Sequence, residues 1–195
     1  MIDVVLLKKG GNVSLTEQAG GRLNRIRVGL GWDARQTSGG AFDLDAFAIG
    51  VGTDGKVPAN EWFVYYFNLE SPGDAIVHQG DNRTGDGDGD DEAIVINLGA
   101  LPSEIQKVIF PVAIYDEEHK VNFGDITNAF IRVVNDENGQ ELARFDLSEK
   151  GAGLECVVFG EVYLYEGDWK MRAIGQGYPD GMESLCKAHG VTVKS

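Results

Sequence analysis

The chain has 195 residues, with 17 Lys+Arg against 31 Asp+Glu, a formal charge of −14. A charge of that sign argues against a basic patch able to displace counterions from a nucleic-acid backbone, and against adhesion to anionic lipid headgroups. The apolar fraction of 43% is ordinary for a globular protein, which sets aside disorder driven by excess charge and leaves length enough for one self-sufficient core.

The start, Met1-Ile2-Asp3-Val4, has neither a basic n-region nor an apolar h-region, so no cleaved signal is expected. β-branched and aromatic residues between turn signals predict strands at 4–7, 26–30, 42–51, 62–67, 93–98, 108–115, 130–134, 140–147, 154–165 and 169–174. Asn138-Gly139 and Gly167-Asp168 read as hairpin tips. Helical signal is confined to one or two turns at 102–107, with Pro102 preset for a first turn, and a terminal helix at 182–189 closed by Gly190. Many short strands with almost no helix predict an all-β chain, a two-sheet β-sandwich with one or two short helices. No repeat or Pro/Ser-rich linker divides residues 1–195, so one domain is expected. Two cysteines, Cys156 and Cys186, make a poor disulfide framework and are expected as buried thiols in a reducing compartment. No apolar run reaches the roughly 18 residues of a membrane span, and a cytoplasmic protein is expected.

The negative charge has a location. Asp81, Asp86, Asp88, Asp90, Asp91 and Glu92 put six carboxylates within twelve residues, interleaved with Gly85, Gly87 and Gly89 and with Arg83 as the lone base. Folding such a loop brings like charges together at a cost in free energy unless something neutralises them. A hard divalent cation does so, and calcium accepts carboxylate, carbonyl and water oxygens at about 2.3–2.6 Å in flexible geometry, whereas magnesium demands a strict octahedron. An EF-hand reading fails: counted from Asp81, Arg83 and Gly85 stand where oxygen ligands belong, and Asp86 where the glycine belongs. A solvated acidic loop is the alternative. Asp33, in Gly31-Trp32-Asp33, closes one predicted strand, and Asp43 and Asp45 open the next, two apart and so on one strand face. A further cluster, Asp116, Glu117, Glu118, Asn122 and Asp125, either adds oxygens or is an exposed acidic turn.

Read in order, Leu7-Lys8-Lys9-Gly10-Gly11-Asn12-Val13-Ser14-Leu15, Gly29-Leu30-Gly31-Trp32-Asp33, Phe42-Asp43-Leu44-Asp45-Ala46, the 80–92 loop, Asn122-Phe123-Gly124 and Ala173-Ile174-Gly175-Gln176-Gly177 resemble the TerD family from end to end. These are bacterial tellurium-resistance and stress-response proteins. The resemblance implies a calcium-binding β-sandwich with long acidic metal-binding loops, cytoplasmic residence and a role against tellurite and other stresses. It implies ligands drawn from the acidic loop with the Trp-Asp and Asp-Leu-Asp segments. The expected set is Asp33, Asp43, Asp45, Asp81, Asn82, Asp88, Asp90, Asp91, Glu92 and Asn122, with shared carboxylates serving two Ca2+ ions.

Other chemistries find less support. No Gly-x-Ser-x-Gly elbow is present, and His78, His119 and His189 carry no motif pairing them with Ser or Cys. Cys186 and His189 have zinc-compatible spacing but lack a second pair of ligands. The aromatic run at 62–67 reads as core and cross-strand packing. A non-enzymatic calcium-binding module is therefore expected. One alternative is a scaffold that assembles with paralogues or a membrane-associated partner, calcium being only structural. A metal-dependent hydrolase is the other, weakened by the lack of a visible general base.

Overall fold

The computed structural model describes residues 4–34, 43–80, 90–115, 122–147, 153–178 and 180–192, with the backbone alone at Asp33, Ala34, Asp43, Tyr115 and Thr127. Among them are β1 (Val5–Leu7), β2 (Asn12–Ser14), β3 (Arg25–Ala34), β4 (Asp43–Ala46), β5 (Ala48–Val51), β6 (Phe63–Val64) and β7 (Ile76–His78). They continue with β8 (Glu92–Asn97), β9 (Lys107–Tyr115), β10 (Ile126–Asn135), β11 (Glu141–Asp146), β12 (Cys156–Tyr165) and β13 (Asp168–Tyr178). Two helices, α1 (Leu15–Gln18) and α2 (Gly181–Ala188), complete the regular elements. The first sheet runs β1-β11-β10-β3-β8-β7, and the second runs β2-β13-β12-β9-β5-β6 with β4 also paired to β9. β1 lies parallel to β11, and the long central pairs are antiparallel.

Alternation in the sequence explains the layers. In β3, Ile26, Val28, Leu30 and Trp32 are buried between the sheets, while Arg25, Arg27, Gly29 and Gly31 fall on the opposite face. In β9, Val108, Phe110 and Val112 join that same inter-sheet core. Ile109 and Ala113 instead join a second cluster with Phe47, Ile49, Cys156, Val158, Leu185 and Cys186. α2 thus covers part of the second sheet's outer face, so the stretches of β9 and β12 beneath it are buried on both sides and read as short apolar runs, 108–114 and 156–159.

Three local departures from the sequence reading have physical causes. The predicted strand at 42–51 is two strands, because Pro111 accepts from the Phe47 N–H at 2.9 Å but has no N–H to return. The aromatic run at 62–67 is a 3-10 turn (Asn60–Trp62), two strand residues and a tight turn. That turn is closed by paired Tyr65 and Asn68 backbone bonds of 2.9 Å. The Asn68 amide draws the chain round by donating to the Phe63 carbonyl at 2.7 Å, which leaves Phe67 81% exposed rather than in the core. The 102–107 segment is one turn, closed by the Ile105 N–H on the Pro102 carbonyl at 2.9 Å, before β9 begins. α1 was not expected, although Ser14 followed by Glu17 is a capping signal: the Ser14 hydroxyl accepts from the Glu17 N–H at 3.0 Å.

Both cysteines are free and buried. Burial, with the nearby Cys186 adding to it, pushes the Cys156 thiol up to about 12, and burial alone pushes Cys186 up to about 11, from an ordinary 9.0. Between these values the native chain keeps thiol protons that the unfolded chain has lost. Stability is then fully present below the unfolded thiol's pKa and falls as pH rises towards the native ones. Urea unfolding midpoints followed from about pH 8 to about pH 11 should decline less steeply in Cys156→Ala than in the parent chain, by up to about 1.4 kcal/mol per pH unit. Parallel slopes would contradict the assignment.

Candidate functional site

The acidic stretch re-enters the described structure at Asp90, and its last three carboxylates take three different directions. Glu92 opens β8 opposite Leu30 of β3 and is 2% exposed. Because Leu30 faces the core, Glu92 points between the sheets. Its Oε2 accepts from the Ala46 N–H, where β4 passes to β5, at 2.6 Å. The imidazole of His78, on β7, lies beside it: Nδ1 accepts from the Gly80 N–H at 3.1 Å. Nε2 therefore carries the proton, directed at the Ala46 carbonyl at 3.2 Å and 3.6 Å from Glu92 Oε2. His78 is thus a positioning group, bracing the Ala46 carbonyl beside Glu92. Sequence reasoning missed it, since an isolated histidine after Ile76-Val77 carries no spacing signal.

Asp91 stays at the edge of the ladder, its N–H donating to the Leu30 carbonyl and its Oδ2 accepting from the Trp32 N–H at 2.8 Å. Asp90 lies over the outer face of the first sheet, across Gly29, where a β-carbon would collide with its carboxylate. There Oδ1 meets Arg132 Nε on β10 at 2.6 Å, and Glu141 takes another guanidinium nitrogen at 3.0 Å. Hydrogen bonding to Asp90, with Glu141 adding to it, holds the Arg132 guanidinium above its ordinary range against the opposing effect of burial.

The remaining expected ligands are placed as follows. Asp33 pairs in backbone register with Thr127, Asp43 with Tyr115 and Asp45 with Ala113. The end of β3, the start of β4, the end of β9 and the start of β8 therefore share one end of the sandwich. Leu44 and Ala46 face the inter-sheet core, so Asp45 falls on the outer face of the second sheet rather than beside Glu92. Asn122 Oδ1 accepts from the Gly124 N–H at 2.9 Å and the Gly153 N–H at 3.1 Å. The Asn122 N–H donates to Asp125 Oδ2 at 3.1 Å, which completes a capping box before β10. Asp81, Asn82, Asp86 and Asp88, and likewise Asp116, Glu117 and Glu118, lie outside the described residues. Among the described residues, no three His, Cys, Asp or Glu side chains converge as a metal cluster. The donors are all hard oxygens of the kind calcium takes; the described ones alone do not compose a shell.

The Glu92 bridge has a measurable consequence. Glu92→Ala strands a buried N–H and should cost on the order of 3 kcal/mol by urea unfolding, whereas Glu92→Gln keeps an acceptor and should cost roughly half as much. Equal stability of Glu92→Ala and the parent chain would contradict the bridge.

The TerD domain family model matches residues 4–189. The chain is 50% identical over 188 residues to tellurium resistance protein TerD of Serratia marcescens, covering 96% of this chain and 97% of that protein. It is 41% identical over 191 residues to general stress protein 16U of Bacillus subtilis, covering 97% and 98%. Its fold is similar to the crystal structure of a homologue of telluride resistance protein (TerD) from Streptomyces coelicolor, with a TM-score of 0.68 at 25% identity, covering 89% of this chain and all of that one. A strand-rich two-sheet fold, the family model's near-complete span and the half-identical relative agree: the chain belongs to the TerD family of tellurium-resistance and stress-response proteins.

Proposed function

We propose that the chain is a non-enzymatic, calcium-binding stress-response protein that contributes to tellurite resistance in the cytoplasm. The observation that carries this reading is the shared end of the sandwich. Register sets the end of β3, which bears Asp33, next to the start of β8, the Glu92–Ala46 bond sets β4, which bears Asp43 and Asp45, against it from the other sheet, and residues 81–92, with a net charge of −5, lead into that point. So dense a run of carboxylates leading into one end of the fold is costly without a counter-charge, and a bound cation supplies it. In this reading Asp33, Asp43, Asp45, Asp81, Asn82 and Asp88 hold the metal. Asp91, at the edge of the β3–β8 ladder, joins them. Asp90, Glu92 and Asn122 position the site through the hydrogen bonds already described. Two ions sharing carboxylates suit so acidic a set. The free cysteines accord with a reducing compartment.

Calcium should raise the melting temperature of metal-stripped protein, by an amount corresponding to about 2.7 kcal/mol at a hundredfold excess over Kd, with the rise abolished by chelator. Asp43→Ala should weaken binding more than Asp86→Ala, because the β4 ladder fixes Asp43. A melting temperature indifferent to calcium and chelator would remove the proposal, and the reverse ranking would remove Asp43 from the shell. The exposed turn carrying Tyr66 and Phe67 favours a second reading, a scaffold that docks a paralogue of this family with calcium only structural. Complex formation between the purified pair, unaltered by chelator, would favour it; dependence on calcium would favour a sensor.

A further inference from the structure

The outer face of the second sheet carries a cluster of different chemistry. Cys156 opens β12 in register with Ala113 of β9 on one side and Tyr178 of β13 on the other. Met182 and Cys186, four residues apart, lie on the same face of α2 above it. The Cys156 thiol donates to Met182 Sδ at 3.3 Å, and Cys186 is near enough to act electrostatically on Cys156. Both thiols are buried, at 0% and 2% exposure, with Phe47, Ile49, Val158 and Leu185 as apolar walls. Met182 is half-buried, the most exposed of the three residues.

We propose that Cys156, Met182 and Cys186 form a three-sulfur binding site for a soft monovalent cation of the Cu(I) or Ag(I) type. Thiolate and thioether ligands select such ions over hard ones. Zinc, by contrast, asks for four nitrogen, sulfur or oxygen donors in a tetrahedron, and among the described residues no three His, Cys, Asp or Glu provide its core. A single positive charge suits the apolar walls, because an ion bound to one thiolate, with the thioether and the second sulfur as further donors, is neutral overall. Binding exchanges one S–H bond for a metal–sulfur bond and releases the proton to solvent, with no change of oxidation state. Met182 serves as both ligand and entrance, its flexible thioether swinging out and back. The site needs no occupied calcium centre and differs from it in donor type.

The test uses the full chain, reduced, metal-stripped and kept anaerobic, titrated with Cu(I) in competition with a chromophoric Cu(I) chelator. The chain should retain a single copper and show thiolate-to-copper absorption in the near ultraviolet. Met182→Leu, which preserves volume, should lower copper affinity by at least about tenfold, the loss that even outer-shell partners produce, without moving the melting temperature of the metal-free protein. The Cys156→Ser, Cys186→Ser double variant should lose binding. Copper left wholly with the chelator, or held equally by the parent chain and Met182→Leu, would overturn the proposal, and the second comparison stands even if the double variant fails to fold.

Discussion

A carboxylate enclosed between two sheets must find partners there or impose the cost of an unsatisfied charge. Glu92 meets that constraint with the Ala46 N–H at 2.6 Å, and the bond joins the first residue of β8, in one sheet, to the last residue of β4, in the other. Ala46 is held twice, since its carbonyl faces the imidazole of His78. At this end the two sheets are joined by these polar contacts as well as by the apolar core around Leu30, Trp32 and Leu44. The same contacts help set the acidic segments that begin or end there: the close of β3, the start of β4 and the approach to β8.

The same end shows why proximity in sequence is not convergence in space. Asp90, Asp91 and Glu92 are consecutive, yet one reaches Arg132 over the outer face, one braces the Trp32 amide and one enters the core. Each neutralises a different local demand: a guanidinium, an unpaired N–H at a strand end, and a junction between sheets. In the proposed calcium-binding reading, these bonds hold in place the backbone from which the other carboxylates project.

Much of the strand pattern was legible because burial imposes a period of two. Ile26-Arg27-Val28-Gly29-Leu30 alternates, and its apolar members are fully or almost fully buried. The run at 62–67 was misread because aromatic enrichment resembles strand propensity, while the turn was decided by Asn68, just beyond the run, through its bond to the Phe63 carbonyl. The break at Phe47 was decided by Pro111, far away in sequence. For the candidate site, the sequence located the acidic segments and the strand ends that carry them. It could not show that Glu92 turns inward, that Asp45 lies opposite Leu44 and Ala46, or that Asn122 serves as a cap. Those depend on cross-strand register and on partners such as His78 and Arg132 that lack any local motif.

The acidic end of the sandwich, in the proposed reading, is a site for calcium. Titration calorimetry of metal-stripped protein tests it most directly, with calcium and magnesium compared at equal ionic strength. Saturable binding of calcium with much weaker binding of magnesium is the predicted result, since flexible carboxylate shells suit the larger ion. No saturable heat with calcium, or equal affinity for the two ions, would contradict it.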